Sequence, residues 1–350
     1  GEWGHRGPVA SGDLQSLGVD RAPYHRAPIC PRDEGAAKKQ RKMNMKLAVE
    51  FPSVAYREGP ALVARLAKGI EEIGYDQLDM YDHVVMGYDV EGRPKSHHSA
   101  NMPILEALMT LSFAAAVTER IVLGTEVLVL PQRQPILVAK QFSTLDTLSG
   151  GRARFGIGIG WQASEYEALG ERFEDRGKRM DEAIELIQTC WREERIDFNG
   201  AYYNPVAMAM EPKPPQGGDL PIWVGGRSPA AFRRVGKYGN GWLCGQVADA
   251  DFARRSMDAI REVAIAARRD PAAIGWEAMI ASPPRPGDSK AKAFYAEPDR
   301  VVARASELEA MGFDGVALNA TAIFESGARK VEMILDTLQL LHDRLRAEVG

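Results

Sequence analysis

Two periods of hydrophobicity alternate along the chain. Lys46 to Phe51 (KLAVEF) is a short apolar run, and beyond a loop containing proline and glycine the residues Leu62, Leu66, Ile70 and Ile73 recur at helical spacing. The run predicts a strand and the stripe an amphipathic helix. Gly74 stands where a glycine ends a helix, and Gln77 to Tyr81 (QLDMY) begins the cycle again. Further helical stripes run through Ile104, Leu108, Leu111 and Ala115, through Val138, Phe142, Leu145 and Leu148, and through Met180, Ile184, Ile187 and Trp191. Strands are predicted at 121–126, 152–159, 221–225, 241–245, 274–281 and 315–319, which with the first two makes eight. A closing helix carries Val331, Ile334, Leu338, Leu341 and Leu345 on one face.

Strands that alternate with helices require a parallel sheet, and eight such units predict an α/β fold, a (β/α)8 TIM barrel over residues 45–350. The active site is then expected at the C-terminal ends of the strands. Two stretches break the rhythm, 193–220 with a predicted hairpin turn at 197–200, and 282–297, rich in Pro, Gly and Lys. Both are expected to be loop insertions at the barrel mouth that shape a substrate pocket. Residues 1–44 hold prolines, glycines and scattered charge without an apolar period, and end in Lys38, Lys39, Arg41 and Lys42. They are expected to be a disordered N-terminal extension, dispensable for folding.

Composition narrows the class of function. With 44 basic and 48 acidic residues the formal net charge is −4, which provides no global attraction for nucleic acid or anionic membranes. Three cysteines without paired spacing argue against a disulfide framework or a zinc site, and no signal-peptide pattern is present, so a cytoplasmic enzyme acting on a small molecule is expected. Residues 45–350 contain only His83, His97, His98 and His342 as histidines, too few for a metal-dependent barrel hydrolase.

Candidate chemistry falls at strand ends. Asp82 and His83 follow the second strand, where an imidazole can exchange protons near neutral pH. His97 and His98 stand in a polar loop, where adjacent histidines seldom share a metal. After the fourth strand, Gly156 to Trp161 (GIGIGW) lets backbone approach a ligand, and Ser164 with Glu165 is placed to cap a following helix. A loose dinucleotide fingerprint, Gly158-x-Gly160-x-x-Ala163, follows the fourth strand rather than the first and is set aside. After the fifth strand, Gly225, Gly226, Arg227 and Ser228 before Pro229 form a plausible phosphate cradle. Replacing the two glycines with valine is expected to weaken cofactor binding far more than folding, since branched Cβ atoms block close approach to the phosphate while strands accept β-branched residues. Arg176 and Arg179 are within reach of a phosphate but also suit an exposed helix face, which is the expectation.

These residues carry a resemblance. Ile73 to Asp76 with Asp82–His83, Thr118 to Thr125, Val138 to Gln141 with Leu148 to Arg152, Gly156 to Trp161 with Arg176–Gly177, and Pro221 to Gly226 resemble, in order and spacing, the luciferase-like monooxygenase family. The resemblance covers nearly all of 45–245 and beyond that lies only in the βα rhythm. It implies a barrel that binds a reduced flavin-type cofactor at its mouth. The block from Gly124 to Gln134 with Gly160–Trp161 resembles members assigned to coenzyme F420, with FMN as the alternative. Carried over, Asp82 and His83 face the ring. Thr125, Glu126 and Val127 support it through a non-prolyl cis peptide at Glu126–Val127. Gly158, Ile159, Gly160, Trp161 and Ser164 line the path to the phosphate, held by Gly225, Gly226, Arg227 and Ser228. Trp161 is either a contact or a core aromatic below the cofactor. Many members carry a small residue where this chain has Glu126, so its side chain either points away into a hydrogen-bonded pocket or adds a carboxylate near the reactive ring. His83 and Glu126 are the candidate catalytic residues. The resemblance implies hydride transfer with F420, or oxygen insertion with reduced FMN, in a possible homodimer. A non-catalytic flavin-binding protein on the same barrel is the alternative from another class.

Overall fold

The computed structural model describes residues 45–94, 98–247, 249–281 and 294–350. The expected extension at 1–44, His97 and most of the predicted 282–297 loop lie outside the described residues. Nine strand segments, all parallel, form one closed sheet. They are β1 (Lys46–Glu50), β2 (Gln77–Met80), β3 (Val122–Thr125), β4 (Leu128–Val129), β5 (Ala153–Gly158), β6 (Ile222–Gly225), β7 (Gly241–Leu243), β8 (Gly275–Met279) and β9 (Gly315–Asn319). β3 and β4 are two pieces of a single barrel strand interrupted at Glu126–Val127, and both pair with β5. The predicted eight-stranded barrel is therefore correct, and it closes where β1 pairs with β9, Ala48 opposite Ala317.

The helices begin and end where local chemistry satisfies their free backbone groups. α1 (Pro60–Ile73) has proline in its first turn and stops at Gly74, φ 107°. α2 (Ala107–Ala115) starts at the Glu106 cap, so Ile104 of the predicted stripe lies before it. α3 (Pro135–Ser149) is capped by the Gln134 side chain and ends at Gly150, φ 71°. α4 (Ala163–Ala168) and α5 (Arg176–Arg192) follow β5, and α6 (Pro229–Tyr238) follows β6 behind the Ser228 cap. α7 (Ala250–Ala266), α8 (Pro298–Ala310), α9 (Ala320–Glu325) and α10 (Val331–Val349) complete the ring. Between ring and barrel lies a continuous apolar layer in which Phe142, Phe155 and Trp191 stack in sequence, with centroids 4.3 and 5.8 Å apart. The hairpin in the 193–220 stretch turns at 200–203, where Gly200 N donates to Tyr203 O, three residues beyond the predicted start. No helix among the described residues is long and apolar enough to cross a membrane.

Candidate active site

A cavity of about 630 Å³ opens at the C-terminal ends of the strands, within the range of small-molecule sites. A smaller one of about 440 Å³ lies at the opposite end, beside Lys46, Asp76 and Gln77. Only the first contains the predicted strand-end residues.

The segment after β2 turns Asp82 and His83 in different directions. Asp82 is buried, accepting Val129 N at 3.0 Å and Arg133 Nη2 at 2.8 Å, so its carboxylate pins β4 while its residue borders the cavity. The side chain of His83 is 9% exposed, and Nδ1 lies 2.9 Å from Glu165 Oε2. Glu165 also accepts Val84 N at 2.6 Å and Val85 N at 3.2 Å. Burial disfavours its charge, yet the hydrogen bond and proximity of His83 and the Val84 N–H outweigh that and hold its pKa below the ordinary carboxylate range. An ionised Glu165 selects the tautomer that carries hydrogen on Nδ1 and leaves Nε2 for the cavity that His83 lines. Trp161 packs edge-on to His83, ring centroids 5.4 Å apart, and is 36% exposed at the rim. It is a wall of the cavity rather than a core aromatic beneath it.

The bulge between β3 and β4 forms the next wall. Glu126–Val127 is a cis peptide, as the resemblance implies. Thr125 is fully buried and does not line the cavity. Its hydroxyl donates to Gly156 O at 2.6 Å and accepts from Gly156 N at 3.1 Å, which ties the bulge to β5. Val127 lines the cavity and lies against Gly158 and Gly225, where a Cβ would stand 2.4 and 2.7 Å from its methyls. Glu126 also lines the cavity, and its buried Oε2 has no hydrogen-bond partner among the described residues. Burial, then Glu277, Asp79 and Glu50, push its pKa well above the carboxylate range. Its side chain borders the cavity.

Across the mouth the wall is mainly backbone. Gly158, Ile159 and Gly160 line it, with Tyr166 Oη donating to Ile159 O at 2.6 Å to hold the turn. Gly225, Gly226 and Arg227 continue it beyond β6. Ser228 serves as the α6 cap, its Oγ accepting Ala231 N at 3.2 Å, and is outside the lining. Gly226 has φ 127°, a conformation that side-chain-bearing residues rarely adopt, so valine at this position strains the fold itself. Two more expectations fail. Gln162, not Ser164, precedes α4, and Ser164 lies against Gly87 outside the cavity lining. Arg179 is buried in ion pairs with Glu171 and Asp175 rather than on an exposed face.

The sequence reading missed the cavity floor. Glu50, Tyr81, Cys244, Met279 and Asn319 all line it. Asn319 Nδ2 donates to Glu50, and its Oδ1 caps α9 by accepting Ala322 N at 2.8 Å. Burial, then the charge of Asp79, raise Glu50 to about 8. Beneath it, Arg154 bonds Asp79 at 2.9 Å and Glu277 at 3.0 Å inside the barrel. Asp79, Glu126 and Glu277 lie close enough to suggest a metal site, but Arg154 already occupies two of the three carboxylates. The legible signal was a charge in the middle of an apolar strand: Glu50 in KLAVEF, Asp79 in QLDMY, Arg154 in RARFGIGI and Glu277 in IGWEAMIA.

The cavity fits an anionic cofactor with a flat ring on one count above all. The β5–β6 wall is glycine backbone with Arg227 at its edge, the guanidinium 4.9 Å over the Phe252 ring, and the N-terminus of α6 following it. The chain is similar to several known proteins. The F420-dependent glucose-6-phosphate dehydrogenase of Nocardia farcinica is 32% identical over 203 residues, 57% of each chain. That of Kineococcus radiotolerans is 34% identical over 202 residues, 57% of this chain and 56% of its own. An uncharacterised protein of Mycobacterium tuberculosis is 33% identical over 186 residues, 51% of this chain and 64% of its own. The chain thus spans about three-fifths of the length of these curated relatives. Among solved structures, a monooxygenase from Streptomyces bottropensis superposes with a TM-score of 0.71 at 21% identity, over 87% of this chain and 100% of the other. An F420-dependent secondary alcohol dehydrogenase in complex with an F420-acetone adduct gives 0.70 at 17% identity, over 87% and 99%. At these identities the structural likeness is one of fold. A family model described as luciferase-like monooxygenase matches residues 43–293.

Proposed function

Because this chain belongs to the luciferase-like monooxygenase family, we propose that it is an oxidoreductase using coenzyme F420 for hydride transfer to or from a small organic substrate. When bound, the deazaflavin supplies the hydride chemistry. Gly158 to Gly160 and Gly225 to Arg227 would hold it, the glycines by close backbone approach and Arg227 by charge at the phosphate end. Val127 and the bulge would support the ring, and Trp161 would shield it from water at the rim.

The observation that carries the reading is the pair formed by His83 and the ionised Glu165 on the wall of this cavity. Glu165 fixes the imidazole, and His83 Nε2 takes the substrate proton on oxidation or returns it on reduction. The F420-dependent relatives add support for the cofactor.

The test is to titrate the apo-protein separately with F420 and with FMN and follow fluorescence quenching. F420 is expected to bind at least about tenfold more tightly, with Arg227→Ala reducing that affinity by a similar factor. Tighter binding of FMN overturns the cofactor assignment, and binding of neither overturns the function.

A further inference from the structure

The mouth of the barrel has two chemically unlike sides. Over β5, β6 and β7 the wall is largely glycine backbone with Ile159, Trp161, Leu243 and Gln246, and Arg227 is the only Lys or Arg among the described lining residues. Over β8, β9, β1, β2 and the β3 end it contains Met279, Asn319, Glu50, Tyr81 and Glu126, with His83 and His98 beyond β2. The second side holds polar groups without partners. Glu126 is 9% exposed, and its Oε2 is bonded to nothing among the described residues. Tyr81 Oη makes no well-formed hydrogen bond either, although the hydroxyls of Thr321 and Ser53 are near.

Such groups are costly unless something completes them. The cation buried nearest to them, Arg154, is already bonded to Asp79 and Glu277. Glu126 is also faced by Glu50 from β1, Cys244 beyond β7 and the buried Tyr295, none of them a cation. A carboxyl group in that company keeps its proton, and burial with its acidic neighbours drives both Glu126 and Glu50 towards the neutral form.

We propose that this acidic side of the mouth is the substrate subsite and that it selects an uncharged molecule, whose hydroxyl or carbonyl oxygen is held by Glu126 and Tyr81. The proposal rests on the reading above, in which the anionic cofactor occupies the glycine side. A neutral carboxyl group has one donor and one acceptor, so it can accept from an alcohol or donate to the corresponding carbonyl compound. It therefore suits both members of a hydride-transfer couple. A phosphate or carboxylate in the same place would exchange its hydration for two carboxyl groups and a phenol, with no lysine or arginine among the described lining residues of that side. This chain thereby departs from those relatives whose name specifies glucose 6-phosphate.

Four probes with one carbon frame test this: cyclohexanol, cyclohexanone, cyclohexanecarboxylate and cyclohexyl phosphate. Their binding to the full chain is measured by ligand-observed NMR with and without F420, so the subsite is read whether or not the cofactor binds. Cofactor binding is scored separately, and its failure counts against the earlier reading alone. The uncharged pair is expected to bind at least about tenfold more tightly than the anions at neutral pH. Glu126→Ala should lose about tenfold in affinity for the uncharged pair, whereas Glu126→Gln, whose amide both donates and accepts, should retain it. The carboxylic-acid carbonyl absorption in the infrared spectrum of the parent should be reduced in Glu126→Gln to the part that Glu50 contributes, which Glu50→Gln identifies. Anions that bind as well as the neutral probes, neutral probes that do not bind, or a Glu126→Ala protein that binds them like the parent would each overturn the proposal.

Discussion

His83 and Glu165 act as one unit whose halves come from different parts of the chain. Replacing His83 by Asn keeps a polar side chain but removes a proton carrier, so turnover should fall by a factor on the order of 10² or more with cofactor affinity nearly unchanged. Glu165→Gln should give a smaller fall in kcat, about tenfold, because the amide keeps contact with His83 but no longer favours hydrogen on Nδ1. A loss confined to cofactor affinity in both variants would make the pair a binding element. Gly226 poses a different question at the same scale. Its φ of 127° and a prospective Cβ 2.9 Å from Ala231 Cβ mean that Gly226→Ala should cost about 1–2 kcal/mol of stability besides weakening cofactor binding. Denaturation with and without F420 separates the two effects.

The bulge between β3 and β4 is the element on which the cavity wall depends, and β5 is its mate. Gly156 sits opposite Thr125, and a Cβ there would lie 1.7 Å from the Thr125 carbonyl oxygen. That obstacle is backbone, not a flexible side-chain end, so Gly156→Ala should destabilise the protein by about 3 kcal/mol or more, seen as a shifted urea midpoint. Thr125→Val, which keeps the volume and removes two hydrogen bonds, should cost about 1–2 kcal/mol. An unaltered midpoint in both would mean that the bulge tolerates movement of β5.

At the scale of the molecule, two populations of carboxyl groups oppose each other. Glu71 and Asp76 have lowered pKa values; burial resists this, but backbone N–H groups, and Arg346 for Asp76, prevail, and their stabilisation is lost as the pH falls through those values. Glu50 and Asp79, raised by burial to about 8 and about 6, behave in the opposite sense. The folded state holds their protons in a range where the unfolded chain has released them, so stability falls as pH rises from the ordinary carboxylate range to those values. Glu50→Gln removes one such contribution and keeps the oxygen that accepts from Asn319. Its stability relative to the parent should be near zero at about pH 4 and should rise to roughly 2–4 kcal/mol by about pH 9. Unfolding curves across that range check it, and a difference independent of pH would show that Glu50 is ionised in the fold.

What the chain determined by itself was whatever depends on neighbours along it. The alternation of KLAVEF-like runs with helical stripes specified eight strands and their helices, because side-chain periodicity and the caps at Gly74, Gly150 and Ser228 are local properties. The strand-end position of His83, Gly158 to Trp161 and Gly225 to Arg227 followed from that count, since a parallel barrel gathers those ends at one mouth. Tertiary structure decided everything that depends on which residues meet. Ser164 was misread as a cap, and Glu165 became the partner of a histidine 82 positions away. Arg179, polar and on a helix, is buried because Glu171 and Asp175 neutralise it. Glu50, Asp79, Arg154 and Glu277 looked like isolated charges in four apolar strands, and only closure of the barrel, pairing β1 with β9, brings them into one interior where burial sets their protonation. Pairing along a strand is readable from a period of two, but the charge state of an enclosed group is a property of the enclosure.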